Sequence, residues 1–532
     1  MTPDVQIFTP PHSPPAIIEQ KLSSYAAEPI DVPSHGFRYV LTGNTLLSPD
    51  RLKAVLSSAL DPKMAVADTL AAYRREGYYL VAVTAQFAGR SVPAVSGTQL
   101  SKADSPQIVN INVIEGRVTK KNVPAEFDRF FNITDRPDLT TEMVTRRAII
   151  ANQYAARDGE RLQSSFSPAE QPGGSDLTVT ASKIPGFKPL SGSLLLGNYG
   201  SRYASSYVTG GNVLYHPGGG AELSANYLAG LPYWSRDSRD SQYHSQGFGG
   251  SLITPWGTYG LSAQKTHYQL GRSSYPLNTT GDTASYAVSG SQLIYATERA
   301  QLRLTQGFAH VDNRTTVFGG GYTVVDQRYD YVTAGLNFSQ SYSIGGLAGS
   351  FSANYAYNRG TSARSGTFLL SDAPTAATPL FHYSDLSLTA QQELPSGYLA
   401  QATVNGQWAQ DTLPQQQQWV LGGLGNLTAY NAGIIVGDEG YAVRLSLQSP
   451  SKEYGPFRVT PNVFVERGEA RYHFVPGPWQ RITDAGLGFT VSTTSGTSFS
   501  ALYAAPIRLE GVAPRSADAS RATVFFVLQQ SF

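Results

Sequence analysis

The chain has 532 residues, a formal net charge of +1, 31 tyrosines, 52 glycines, no cysteine and 15% charged residues. Near-neutral charge argues against a nucleic-acid partner, since nucleic-acid-binding domains are strongly basic, and the lack of cysteine excludes disulfides, thiolate metal sites and thiol catalysis. Globular domains carry about 25% charged residues, so low charge with abundant Tyr and Gly points to many strands and turns and one surface that avoids water.

No run reaches the roughly 18 apolar residues of a membrane-spanning helix. Met1 is followed by Thr-Pro-Asp-Val with no visible signal peptide; of a cytosolic protein and numbering that starts at a processed or recloned terminus, the rest of the sequence favours the second. Residues 1–34 form a Pro-rich tail in which Pro15 to Ala27 suits either a short helix with Pro in its first turn or an irregular segment. Residues 35–118 read as a small α+β unit in the order strand, helix, helix, strand, strand. HGFRYVLTG is a strand closed by Gly43-Asn44, and Ser48 is placed to cap a helix from Pro49 to about Leu60 with Leu52, Val55, Leu56 and Leu60 on one face. A second helix from Val66 to Glu76 ends at Gly77, a favourable residue just past a helix C-terminus. YYLVAVTAQF and IVNINVIEG follow as strands. Residues 119–185 read as a degraded second copy, with a helix from Thr141 to Ala156 and strands at RLQSSF and SDLTVTAS.

From Gly186 the helical period stops and strands alternate for about 345 residues. In AELSANYL, Ala221, Leu223, Ala225 and Tyr227 face one way and Glu222, Ser224 and Asn226 the other; FSANYAYN, LAQATVNGQW and YAVRLSL repeat the pattern. One face is apolar and aromatic, the other polar but seldom charged. This dyad fits a transmembrane antiparallel β-barrel, greasy toward lipid and polar toward a lumen, with a soluble β-helix or sandwich array as the alternative. At about 10 residues per span, roughly sixteen strands use half of the segment and leave short turns and longer loops. The chain ends in ATVFFVLQQSF, an apolar dyad closing on Phe532, as outer-membrane barrels do.

The chain resembles the two-partner secretion transporters, the TpsB family. FRYVLTGNTLLSPDRLKAVL, YRREGYYLVAV and VNINVIEGRV resemble that family's first POTRA domain, GGSDLTVTA the end of its second, NYGSRYASS the opening of the barrel, and LGGLGNLTAY with GDEGY the sixth outer loop, which folds back into the lumen. The resemblance implies two periplasmic POTRA domains (35–118 and 119–185) and an outer-membrane barrel (186–532) in a Gram-negative bacterium. It implies a monomer in outer-membrane lipid that exports a large, secreted, β-rich partner protein without ATP. No cofactor, metal or enzymatic activity is expected, as no GxSxG, HExxH or Gly-Lys loop occurs. The glycines of WVLGGLGNLTAYNAGIIVGDEGY lead into a strand and not the helix that a phosphate loop needs, so Gly423 and Gly425 are read as letting a hairpin narrow inside the barrel.

Two departures from the family pattern carry expectations. Where the family has Val-Arg-Gly-Tyr at the loop tip, Leu427, Thr428, Ala429 and Tyr430 stand here. The family's Arg meets an acidic residue on the barrel wall. The matching strand NVFVERG puts Asn462, Phe464 and Glu466 on one face, so Glu466 should look into the lumen without its usual partner. A lone buried carboxylate is costly, which leaves water or a substitute cation such as Arg444. Secondly, about eight residues between Ala27 and the first strand reach roughly 29 Å, too short for a plug helix to enter the lumen. The strand Tyr78 to Phe87, with Tyr79, Val81, Val83 and Ala85, is the candidate edge for capturing an extended client, the Thr141–Ala156 helix lining a groove beside it. An outer-membrane insertase or a passive porin is the alternative function.

Overall fold

The computed structural model describes residues 28–88, 107–136, 138–171, 173–201, 204–235, 238–271, 275–363, 377–473, 479–512, 521 and 524–532. The expected tail helix, and with it the plug, lies outside these residues. The chain divides into two compact units, the first essentially residues up to Pro185 and the second essentially those from Gly186.

The first unit holds two α+β elements. In the earlier one, β1 (Ile30–Ser34), β2 (Phe37–Thr42), β3 (Val81–Phe87) and β4 (Gln107–Glu115) form a sheet in the order β1-β2-β4-β3, with α1 (Pro49–Ser58) and α2 (Pro62–Arg75). Its core is Tyr39, Leu41, Leu52, Leu56, Tyr73, Val109 and Ile111, all fully buried. β1 was not expected, because Pro33 argues against a strand; as an edge strand it needs no second ladder partner, and Pro is tolerated there. The sheet therefore begins at Ile30 and not after residue 34. Ser34 Oγ ties this edge to the end of α1 by donating to Ser57 O at 2.8 Å. Ser48 makes no side-chain cap, contrary to expectation, whereas α2 starts four residues earlier than its apolar period suggests. Asp61 Oδ1 accepts the Met64 N–H at 2.8 Å and Pro62 occupies the first turn. Glu115 gathers the interior polar donors: the N–H groups of Thr45 (2.8 Å) and Leu46 (2.9 Å) and the Tyr73 hydroxyl (2.7 Å). Burial and this carboxylate raise the Tyr73 phenol above its ordinary pKa.

The later element is β5 (Arg117–Asn122), α3 (Thr141–Arg157), β6 (Glu160–Pro168) and β7 (Gly174–Lys183), with sheet order β5-β7-β6. β5, RVTKKN, carries too much charge to be read as a strand, yet it pairs in parallel with β7. Val144, Ala148, Ile149 and Ala151 of α3 are buried, as are Phe127, Phe130 and Phe131.

The second unit is a closed antiparallel barrel of 16 strands. They run, in order, Leu190–Gly197, Val208–Gly218, Ala221–Gly230, Gln242–Thr254, Gly257–Gln269, Thr280–Ala296, Ala300–Val317, Tyr322–Ile344, Leu347–Ala363, His382–Glu393, Leu399–Ala409, Glu439–Gln448, Phe457–Arg471, Gln480–Thr493, Thr497–Glu510 and Val524–Ser531. A short strand, Lys452–Tyr454, extends the turn before the thirteenth. Short turns such as 219–220, 255–256 and 345–346 alternate with longer connections such as 231–241 and 410–438, so one end of the barrel is trimmed and the other elaborated.

Facing follows the sequence dyad. On the thirteenth strand Val463 and Val465 are 53% and 39% exposed, while Phe464 and Glu466 are 5% and 2%. Outward-facing Leu194, Phe248, Leu261, Val288, Leu445 and Leu487 are more than half exposed to the surroundings, an apolar area far beyond what a water-soluble monomer displays. Closure joins the first and last strands through five residue pairs, Gly197↔Val527 to Ser193↔Ser531. The Asn198 side chain lengthens this seam. Its Nδ2 donates to Val524 O at 2.8 Å and its Oδ1 accepts the Phe526 N–H at 2.7 Å, as an added strand residue would.

Leu487 sits mid-strand on the lipid-facing side. Leu487→Arg is expected to destabilise the barrel by about 2–4 kcal/mol, read from unfolding midpoints in lipid vesicles, whereas a water-facing position would tolerate it.

Candidate functional site

The connection between the eleventh and twelfth strands turns inward. Trp419–Leu421 and Ile435–Gly437 pair as a two-stranded ribbon, and residues 422–434 form its tip. Gly422 must be glycine: at φ +101° an added Cβ would lie 2.3 Å from Asn431 O. Gly423, also at +101°, donates its N–H to Tyr430 O at 2.8 Å, and Gly425, at +77°, donates to Thr428 Oγ1 at 3.2 Å. Leu427 takes the left-handed conformation at φ +67°, which costs a non-glycine residue about 1 kcal/mol or more. Its side chain is compensated by burial among Leu421, Ala429, Tyr430, Ile435, Phe464 and Ile482.

Strand register builds the wall beneath this tip. Arg444 on the twelfth strand is opposite Glu466 on the thirteenth, which is opposite Asp484 on the fourteenth. These three form a row across the lumen face. The guanidinium of Arg444 lies 4.0 Å over the Phe464 ring and ion-pairs with Glu466 Oε1. Glu466 Oε2 accepts the Thr428 N–H at 2.6 Å, and Asp484 Oδ2 accepts the Ala429 N–H at 2.9 Å. Arg444 Nη1 also donates to Thr428 Oγ1 at 3.4 Å.

The cation facing Glu466 therefore comes from the wall, and the loop itself contributes backbone donors. Glu466 and Asp484 are 2% and 0% exposed. Buried carboxylates need several donors to offset their desolvation, and two consecutive amides at the tip supply them from a loop that carries no charge of its own. The base of the hairpin is fixed as well. Buried Asp438 accepts the N–H groups of Leu413 and His473 at 2.9 Å each, and its own carbonyl accepts from Gln407 Nε2 at 2.9 Å. Beside the hairpin a cavity of about 640 Å³ remains in the lumen, lined by Arg303, Asn337, Asn354, Asp385 and Asn405 together with Trp419 of the ribbon. These polar groups share the lining with Leu336, Leu386 and Val420, so the cavity has both polar and apolar walls. Among the described residues no three His, Asp or Glu side chains cluster as metal ligands do.

The expected residues Thr428, Tyr430, Arg444, Phe464 and Glu466 thus meet at one place, with Gly423 and Gly425 shaping the turn above it. Asp484 was not singled out in the sequence, and Asp438 stood only within GDEGY without an assigned role. Asp484 had a legible signal, a charge at a lumen-facing position of an alternating strand; Asp438 had none, since its partners Leu413 and His473 lie 25 and 35 residues away. The other expected site is β3. It is an outermost strand of its sheet, but Val81 and Val83 pack into the core, Tyr79 precedes the strand, and Ala85 is exposed. An added strand would meet mainly main chain there. α3 begins against the preceding turn, with the Thr141 N–H donating to Gly77 O at 2.9 Å, and its buried face is spent on packing.

A closed sixteen-strand barrel with an inward hairpin tied to its wall, joined in one chain to two α+β elements of the POTRA kind, is the architecture of a TpsB transporter. The chain belongs to the haemolysin secretion/activation protein family ShlB/FhaC/HecB, whose model matches residues 173–491. It is 23% identical over 309 residues to the heme/hemopexin transporter protein HuxB of Haemophilus influenzae, an alignment covering 55% of this chain and 50% of that one. The chain thus spans about half the length of the curated relatives it matches. Among solved structures it is similar in fold to CdiB from Escherichia coli (TM-score 0.75, 17% identity, 98% of this chain and 94% of that one). CdiB from Acinetobacter baumannii is also similar (TM-score 0.67, 14% identity, the same coverage).

Because the tip is held by main-chain donors, Thr428→Ala should cost only about 1 kcal/mol, the worth of one hydroxyl's hydrogen bonds. Glu466→Ala strips Arg444 of its buried partner and should cost about 3–5 kcal/mol. Unfolding in detergent measures both, and limited proteolysis of the 419–437 hairpin reports whether the tip has left the wall.

Proposed function

We propose that this protein is an outer-membrane pore that exports one large secreted, β-rich polypeptide from the periplasm to the cell surface without ATP. The observation that carries this reading is a lumen with polar walls, obstructed by a hairpin whose attachments are hydrogen bonds and apolar packing. Such a hairpin can leave and return without covalent or nucleotide chemistry, and a wide polar lumen can solvate a moving chain without holding it. The α+β elements face the periplasm in this reading. The outer edge of β3, with Ala85 exposed and the Val81 and Val83 side chains occupied in the core, captures an extended client through its backbone. The protein acts as a monomer in outer-membrane lipid, with no cofactor, and the folding of the client outside gives the movement its direction. Family membership and the fold shared with CdiB support this reading over a passive porin, which has no use for the α+β elements.

The test is co-expression with candidate secreted partners. One partner is expected in the medium when the barrel is present and in the periplasm when it is not. If no partner is released while other barrels assemble better, the protein is an insertase instead.

A further inference from the structure

Before the inward ribbon, residues 411–418 cross the lumen face of the barrel. The run Gln415–Gln417 forms a single 3₁₀ turn, and each of its glutamines bonds to the wall. Gln415 donates its N–H to Gln327 Oε1 at 3.2 Å and accepts from Asn313 Nδ2 at 3.3 Å. Gln416 Nε2 donates to Thr283 Oγ1 at 3.2 Å. Gln417 Nε2 donates to the Tyr329 hydroxyl at 3.1 Å, and Gln417 Oε1 accepts from the Tyr383 hydroxyl at 2.5 Å. The carbonyl of Gln417 accepts from Gln407 Nε2 at 2.9 Å.

Those wall groups lie on the sixth, seventh, eighth, tenth and eleventh strands, so three residues span a third of the circumference. The wall row is itself connected, since Thr283 Oγ1 donates to Asn313 Oδ1 at 3.0 Å. Tyr329 and Tyr383 also pack with Val311 and Phe381 around Leu413 of the strap. Every wall group is neutral, and together they offer both donors and acceptors.

A glutamine side chain ends in a primary amide, chemically the peptide group with one more N–H. A wall that holds three such amides is suited to hold the backbone of any extended polypeptide, whatever its side chains. We infer that Thr283, Asn313, Gln327, Tyr329 and Tyr383 form an amide-binding track for the polypeptide in transit, and that Gln415–Gln417 occupy it as a placeholder when no client is present. Neutral hydrogen bonds are each worth about 1 kcal/mol net, so an arriving chain exchanges them one for one and the track neither traps the client nor depends on its sequence. This rests on the export reading, but its test reads an ion current and so fails or succeeds separately from export.

Purified protein in a planar bilayer is compared with a variant carrying Gln415→Ala, Gln416→Ala and Gln417→Ala, both first checked for heat-modifiable gel mobility. The variant is expected to pass a larger current, since residues 415–417 release the track while the strap stays anchored at Leu413. A soluble, unstructured peptide of serine, glycine and glutamine should block that current. Adding Thr283→Val or Tyr383→Phe to the variant should weaken the block about fivefold for each hydrogen bond removed. Unchanged current in the triple variant would overturn the placeholder role. Peptide block indifferent to both wall substitutions would overturn the track.

Discussion

Everything in the second unit follows from one constraint: a sheet whose outer face is apolar can stand in lipid only if it has no edge. Each of the 16 strands is paired on both sides, and the ring closes where the first strand meets the last. That seam is the shortest part of the design that matters most. Its five residue pairs and the Asn198 side chain complete a ladder that elsewhere runs up to the length of the seventh and eighth strands. Once the ring is closed, the alternation of the sequence leaves no choice about which side chains meet lipid and which meet the lumen.

The lumen then sets a second problem, how to fill a wide polar space without freezing it. The connection 410–438 solves it with three attachments of different chemistry. At the tip, two amides meet the buried carboxylates Glu466 and Asp484, of which Glu466 pairs with Arg444 from the neighbouring strand. At the base, one carboxylate gathers amides from two connections. Between the strand and the ribbon, glutamines meet a neutral wall. The tip costs the most to release, because leaving it strands carboxylates in a buried place. The glutamine contacts cost the least, which fits their proposed exchange with a passing chain.

The barrel was legible because its information is local. A period of two, Gly and Pro turns and low charge need only neighbouring residues, and Val463, Phe464, Val465 and Glu466 face as their alternation requires. The α+β elements were legible where the apolar period was clean, as at Leu52 and Leu56, and hidden where polarity or proline masked a strand, as in RVTKKN and around Pro33. The tip residues could be found because Leu427-Thr428-Ala429-Tyr430 stands where a known motif departs from its pattern. The row Arg444, Glu466, Asp484 was only partly legible, since which residues are opposite each other depends on strand register and not on spacing along the chain. The glutamine contacts were illegible for the same reason: Gln416 and Thr283 are 133 residues apart.

Closure itself can be measured directly, since the chain has no cysteine of its own. Gly192 and Phe532 exchange both backbone hydrogen bonds, which makes the adjacent facing pair, Ser193 and Ser531, a non-hydrogen-bonded pair with close Cβ atoms. Ser193→Cys with Ser531→Cys should therefore form a disulfide across the seam in the folded protein, and the oxidised product should keep a circularised mobility after boiling that reductant abolishes. If both thiols instead remain free to alkylation in the fully folded protein, the first and last strands are not joined and the closed barrel is contradicted.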